Sequence, residues 1–456
     1  MKNNKRAITA VFCVLAFVAA AVVAVLAVAF DNGNTIILND SQGAPFASAE
    51  WDGYDITYTV NEAYEQEYAV YVIEEAKKIL MNEKNLNDDE AYKYIFKSIT
   101  QINTNYDSAV QSALHKAYEK NADLKGALCA MAVTDLNGRL VAVFSSSTEE
   151  NLSLNKTYAG STIKPLSVYA PAIDSGEFSW SYSIIDSPVK KIKEQDGTLS
   201  DWPVNSDGKY TNKKMNLADA LTFSTNTVAV KLLQEYGVEK SVNVLEEKYG
   251  ISVDFEKNKI KGAGESEILG NIALGYLYEG VSVVDMAGCY QVFANGGKYC
   301  EPVAIDEMLD ENGSVYKSEY SSESVMKVET ATIMNKMLQR VVSVGTGKEA
   351  ELDEISVAGK TGTTTDNADN WFVGVTPEYS CAVWHSAIEE GNICPEIFSS
   401  ALGNIGGTVK NFESKGNIEA KLYCEKSGLL RGDKCIYCNK GYYLSTAEIA
   451  KCNECR

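Results

Sequence analysis

The chain has 456 residues and sets 42 Lys and Arg against 62 Asp and Glu, for a formal net charge of −20. That length accommodates one large domain with smaller appendages. The acidity, with no strongly basic stretch, argues against nucleic acid as a partner, because neutralising phosphates needs clustered cations.

Residues 1–6 carry Lys2, Lys5 and Arg6 and lead into an apolar run, 7–30, interrupted only by Thr9. As a helix rising about 1.5 Å per residue, this run is about 36 Å long, enough for a hydrocarbon core of about 30 Å. The preceding cations predict a cytosolic N-terminus and an extracytoplasmic remainder, at a cell membrane crossed once. Ala27-Val28-Ala29 also fits a signal-peptide cleavage site, but the run exceeds a usual signal core and reads as a retained transmembrane anchor. Residues 31–50, rich in Asp, Asn, Gly and Ser, read as a tether. Residues 51–125 read as a helical linker or pedestal without chemistry, with Val70, Val72, Ile73, Ala76, Ile79 and Leu80 at helical spacing.

The catalytic domain is predicted over 126–415. It opens with two short apolar runs, 127–133 and 140–144, joined by Asn137-Gly138, a hairpin signal. Further strands are predicted at 371–375 and 381–384, with helical patterns between the two strand groups: from Ser161 onward, 217–236 and 274–294. Strands at both ends with helices between predict an α+β fold, one antiparallel sheet flanked by helices. His115 and His385 are the only histidines, which leaves little room for a Ser-His-Asp triad. His385 reads as a strand-end surface residue, and Cys13, Cys129 and Cys289, in apolar runs, read as core. Trp371 reads as sheet core, and Asp207 and Tyr210, in a polar loop, receive no role.

The tail, 416–456, holds Cys424, Cys435, Cys438, Cys452 and Cys455. The two C-x2-C pairs, Cys435 with Cys438 and Cys452 with Cys455, fit a small structural zinc ribbon. They fit disulfides as well, which an extracytoplasmic location permits. Cys424 suits neither scheme, and the tail is expected to be structural or to dock a partner.

Three stretches carry the chemistry: Ser161-Thr162-Ile163-Lys164, Ser224-Thr225-Asn226 and Lys360-Thr361-Gly362-Thr363. In order they spell S-x-x-K, S-x-N and K-T-G-T, the corners of a serine acyl-transfer site that uses lysines in place of histidine. S-x-x-K alone decides nothing, since it recurs at Ser187, Ser314 and Ser324. Context separates the first from these: Ser161 follows Ala159-Gly160 at a predicted helix start, Pro165 falls in the first turn, and Lys164 shares the face of Ser161. Helix N-terminal N–H groups there favour a developing negative charge. Gly362 lets a substrate backbone lie against the strand edge.

Residues 159–165 resemble the nucleophile motif of class A penicillin-binding proteins, and 357–384 are similar to that family's K-T-G strand and following hairpin. Residues 217–237 and 269–299 agree, so the likeness covers about residues 60–410. It implies a five-stranded antiparallel sheet with a helical lobe and the site at their junction. It also implies a penicillin-sensitive D,D-transpeptidase that cross-links peptidoglycan stem peptides through a Ser161 ester. Lys164 would be the general base and Ser224 the proton relay, while Asn226 would orient Lys164 and the substrate amide. Lys360, Thr361 and Thr363 would bind the terminal carboxylate, and the N–H groups of Ser161 and Thr363 would form the oxyanion hole. No cofactor is expected for catalysis, and β-lactams are expected inhibitors. No segment matching the family's glycosyltransferase domain lies between the apolar run and the linker, so a separate glycosyltransferase at the membrane is an expected partner. A D,D-carboxypeptidase or β-lactam hydrolase would differ in letting water resolve the ester, and no residue stands out as a deacylating base. A catalytically silent membrane scaffold or sensor would not acylate at all.

Overall fold

A five-stranded antiparallel sheet positions the site. The computed structural model describes residues 35–455 apart from 122–123, 125, 148, 194–196, 254–264, 365–366 and 390. The run 7–30, read above as an anchor, and Cys13 within it lie outside the described residues. Among those described, no helix is long and apolar enough to cross a membrane. The described residues divide into two units, those up to 106 with 304–318, and 107–303 with those from 319 onward.

The first unit corrects the tether and pedestal expectations. Its six-stranded sheet runs Gly313–Lys317, Ile305–Asp310, Ile99–Thr104, Thr35–Asn39, Pro45–Trp51, Ile56–Val60 in spatial order. Residues 35–51 are therefore mostly strand. Ile36 and Leu38 bury alternate positions of one short strand, and Phe46, Ala47 and Ala49 serve the next. These runs are too short to stand out from their polar surroundings, and the strand 305–310 that pairs with 99–104 is remote in sequence. The helical periodicity does hold: Gln66–Lys84 buries Val72, Ile73, Ala76 and Leu80.

The second unit contains the expected sheet. Its strands are β1 (Cys129–Asp135), β2 (Leu140–Ser145), β3 (Ala358–Thr363), β4 (Asp369–Val375) and β5 (Tyr379–Ser386). They lie in the order β3-β4-β5-β1-β2, every pair antiparallel. Alternation along the strands gives the sheet two different faces. Cys129, Met131, Val133, Cys381 and Val383 pack against α1 (Ser108–Lys120) and α4 (Cys394–Ile405), through Val110, Leu114, Ile397 and Phe398. Ala130, Ala132, Ser380 and Ala382, small and buried, line the other face. There Ser380 donates to the Ala287 carbonyl of α3 (Val283–Tyr290) at 2.6 Å, an approach that small side chains allow. Helix α1, read as pedestal, is thus part of this core, because its apolar stripe matches the sheet face.

The helical stretches are more broken than their periodicity implies. The pattern 217–236 splits into Leu217–Thr222 and α2 (Asn226–Tyr236), with Ser224 between them at φ +58°. The pattern 274–294 is interrupted after the helix Glu265–Leu274 by Gly275 at φ +85°, and resumes only at α3. Both interruptions face the site.

Candidate active site

The Ser161 segment is not a regular α-helix. Gly160–Ile163 is a 3-10 turn, Pro165–Tyr169 a π-turn, and Ala170–Ser175 an α-turn. Pro165 has no N–H to return to Ser161, so the Lys164 N–H closes a tighter turn onto the Ser161 carbonyl. Residues three apart eclipse in a 3-10 turn, which puts Ser161 and Lys164 on one face more directly than an α-helix would. Ser161 is partly exposed, and Lys164 is fully buried.

Three glycines set this turn against β3, the sheet's edge strand. Gly160 has φ +53°, and a Cβ on it would lie 3.0 Å from the Thr363 N and O atoms. A Cβ on Gly275 would lie 2.1 Å from the Gly160 carbonyl oxygen. One on Gly362 would lie 2.7 Å from the Ala159 carbonyl oxygen. Bare backbone at all three positions lets the Ser161 turn rest on the K-T-G strand. Tyr290 and Trp371 hold the turn from behind: the Tyr290 hydroxyl donates to the Thr162 carbonyl at 2.5 Å, and Trp371 Nε1 to the Tyr158 carbonyl at 2.9 Å. Trp371 is buried as sheet core.

The two lysines meet at one hydroxyl. Lys164 Nζ donates to the Ser224 carbonyl at 2.8 Å and to Asn226 Oδ1 at 2.6 Å, and lies 3.3 Å from Ser224 Oγ. Lys360 Nζ reaches the same Ser224 Oγ at 2.9 Å, and donates to the Thr361 carbonyl at 2.9 Å. The left-handed backbone of Ser224 offers both its carbonyl and its hydroxyl to this cluster. Burial, and next the charge of Lys360, hold Lys164 well below the ordinary lysine range. Burial brings Lys360 down to about 7. Thr361 Oγ1 lies 2.6 Å from Thr346 Oγ1.

Lys164, Ser224, Asn226, Lys360 and Thr361 are thus joined by hydrogen bonds, with Gly362 and Thr363 beside the Ser161 turn. Sequence reasoning missed the supports. Asn205 Oδ1 accepts from the Asn226 and Thr227 N–H groups at 3.0 and 3.2 Å, capping α2. Asp186 accepts in turn from Asn205 Nδ2 at 2.8 Å, from Thr227 Oγ1 at 2.7 Å and from the Thr211 N–H at 2.7 Å. Burial opposes its charge, yet these donors hold its carboxyl below the ordinary range. Asn392 Nδ2 donates to the Gly362 and Trp371 carbonyls at 3.0 Å each. No local spacing announces these residues; for Thr346, the paired glycines of Gly345-Thr346-Gly347 were a usable turn signal. Asp207 accepts from the Lys209 N–H and Tyr210 donates to the Pro203 carbonyl, so both shape their own loop.

Two outlying expectations change. His385 is buried: Nδ1 lies 2.6 Å from the Ser386 carbonyl and Nε2 accepts from the Ile393 N–H at 3.2 Å, because the segment before α4 folds over the strand end. In the tail, Cys435, Cys452 and Cys455 come together with Cys424, all four sulfurs within 4.8 Å of one another. Cys438 is outside this set. It opens the strand Cys438–Leu444, and its sulfur points to the Cys435 carbonyl at 3.9 Å.

The model of the penicillin-binding protein transpeptidase domain matches residues 126–393, more than half of the chain. Penicillin-binding protein 1A of Clostridium acetobutylicum is 30% identical over 385 residues, which are 77% of this chain and 46% of that protein. The Clostridium tetani protein of the same name is 29% identical over 405 residues, 80% of this chain and 50% of its own. The chain thus spans about half the length of these curated relatives. The D,D-transpeptidase domain of an Eggerthella lenta peptidoglycan glycosyltransferase superposes with a TM-score of 0.61 at 20% identity, covering 81% of this chain and 97% of that one. PonA1 of Mycobacterium tuberculosis in complex with penicillin V gives 0.60 at 21% identity, covering 75% and 94%. With the matched region enclosing all three motifs and the five-stranded sheet, the chain belongs to the penicillin-binding protein transpeptidase family.

Proposed function

We propose that this chain is a penicillin-sensitive D,D-transpeptidase that cross-links peptidoglycan stem peptides through an ester on Ser161. The observation that carries the reading is the Ser224 hydroxyl held between two buried lysines, 3.3 Å from Lys164 Nζ and 2.9 Å from Lys360 Nζ.

Burial and the charge of Lys360 ease loss of a proton from Lys164, and in its neutral form two N–H groups serve the Ser224 carbonyl and Asn226 Oδ1. Its lone pair is left to take the proton of Ser161. The Ser161 oxygen adds to the carbonyl of the terminal D-alanyl-D-alanine bond. The oxyanion is met by the N–H groups of Ser161 and Thr363, each worth about 3 kcal/mol. Collapse breaks the C–N bond, and the proton returns from Lys164 through Ser224 to the departing D-alanine amine. A second stem peptide's amine then attacks the ester carbonyl and gives its proton to Lys164; the C–O bond to Ser161 breaks, Lys164 passes that proton to the Ser161 oxygen, and the new amide is the cross-link. Lys360, as the ammonium, and Thr361 and Thr363 hold the terminal carboxylate of the donor peptide until the D-alanine departs. Such a substrate lies outside the cell membrane, on strands supplied by a glycosyltransferase.

The test is a pentapeptide ending in D-alanyl-D-alanine, offered with a stem-peptide amine acceptor. Free D-alanine and a cross-linked product are expected in equal amounts, both lost in Ser161→Ala. D-alanine without cross-linked product would replace the transpeptidase with a carboxypeptidase.

A further inference from the structure

We propose that Cys424, Cys435, Cys452 and Cys455 bind one Zn2+ ion as a closed tetrathiolate site, and that this ion fastens the C-terminal ribbon to its docking surface.

The geometry is that of a single centre. All four sulfurs lie within 4.8 Å of one another, with Cys424 to Cys455 at 3.5 Å and Cys452 to Cys455 at 3.8 Å. Four sulfurs about 2.3 Å from a tetrahedral zinc are separated by about 3.8 Å, and the 3.5 Å and 3.8 Å separations are close to that edge length. Disulfides would draw the sulfurs into two bonded pairs at about 2.05 Å and have no need of four-way convergence. Four soft thiolates with no open position describe a structural zinc site, as distinct from a catalytic one.

The surrounding backbone is shaped for this centre. The Gly432 N–H donates to Cys435 Sγ at 3.3 Å, the kind of outer bond that orients a ligand. Gly432 also lets the loop close on the last two ligands: a Cβ there would lie 2.0 Å from the Cys452 carbonyl oxygen. The Cys452 N–H donates to the Leu430 carbonyl at 2.8 Å. The ribbon also lacks a core of its own. Beyond its two paired strands, Ile418–Cys424 and Cys438–Leu444, its buried cluster is Cys424, Cys435 and Cys452, with Leu429 packed against them. A module this small needs a staple.

The same turn meets the catalytic unit. The Gly428 N–H donates to the Cys424 carbonyl at 2.9 Å, and the Gly428 carbonyl accepts from Ser181 Oγ at 2.6 Å. Tyr443 donates to that Ser181 Oγ at 2.9 Å, and Tyr442 packs edge-on to Trp180 at 5.3 Å. The metal therefore fixes the turn that docks on residues 180–183.

The test is elemental analysis of the purified full-length chain, prepared without chelator. About one zinc per chain is expected, lost in Cys424→Ser and kept in Cys438→Ser, although Cys438 belongs to the sequence-level C-x2-C pair. Should Cys424→Ser fail to fold, cobalt exchange into the unaltered chain decides, with the visible bands of a tetrahedral tetrathiolate expected. After denaturation and chelation, all eleven cysteines should be open to alkylation. Absence of zinc, iron in its place, four cysteines blocked until reduction, or zinc lost equally in Cys438→Ser would each overturn the assignment.

Discussion

Lys164 and Lys360 share one hydroxyl in a buried site, and their protons are the most informative variables of the mechanism. The proposed chemistry needs Lys164 neutral and Lys360 charged at the same moment. Acylation by penicillin should therefore rise from acid pH as Lys164 gives up its proton. It should fall again above about 7 as Lys360 gives up its own, since an uncharged anchor no longer attracts the carboxylate. Second-order acylation rates from about pH 5 to about pH 9 should trace this bell. A rate still climbing at the alkaline end would remove Lys360 from the role of cationic anchor. Lys164→Ala should slow acylation by about 10²- to 10⁴-fold, the usual contribution of a general base, with the fold kept as judged by circular dichroism.

At the scale of elements, the Ser161 turn works because unadorned backbone lets it rest on β3. Gly275→Ala should strain a backbone at φ +85° and drive a methyl to 2.1 Å from the Gly160 carbonyl oxygen. A loss of about 1–3 kcal/mol in urea unfolding is expected, together with slower acylation as the turn shifts. Gly176→Ala is the matched control: φ is similar at +82°, but nothing lies within 4 Å of the added Cβ. It should cost some stability and leave acylation intact. Equal loss of acylation in both variants would mean that packing on Gly160 is irrelevant. These elements also mark where the sequence was readable. S-x-x-K and K-T-G name their residues because the proposed nucleophile, base and anchor must be fixed residue types at short spacing. Asp186 and Asn205 were illegible, because a polar side chain that caps a distant helix has no local signature. Gly275 fell inside a stretch read as helix, 274–294, and only its neighbour across the fold explains it.

For the molecule as a whole, the short apolar runs that build β1, β2, β4 and β5 can be read directly, and the family likeness implies five antiparallel strands without giving their order. The strands of the first unit escaped notice, since Thr35–Asn39 gains its burial from partners at 45–51 and 99–104. The tail escaped in a different way: spacing paired Cys435 with Cys438, whereas folding brings Cys424 into the cluster. The buried lysines also tax global stability. Lys360 has a folded pKa of about 7, below its unfolded value of about 10.4, so between these the unfolded chain holds a proton that the folded chain lacks. Its destabilising effect is complete below about 7 and fades as pH rises, at up to about 1.4 kcal/mol per pH unit. The urea midpoint of Lys360→Met should accordingly exceed that of the parent most below about pH 7, with the gap narrowing toward about pH 9. A gap that widens with pH would contradict the burial of a strained ammonium.

The most direct test of the account is the intact mass of the purified chain after incubation with a labelled penicillin, beside Ser161→Ala. A single persistent adduct that disappears in the variant is predicted. An adduct retained in Ser161→Ala, or none on the folded parent chain, would contradict Ser161 as the acylated nucleophile.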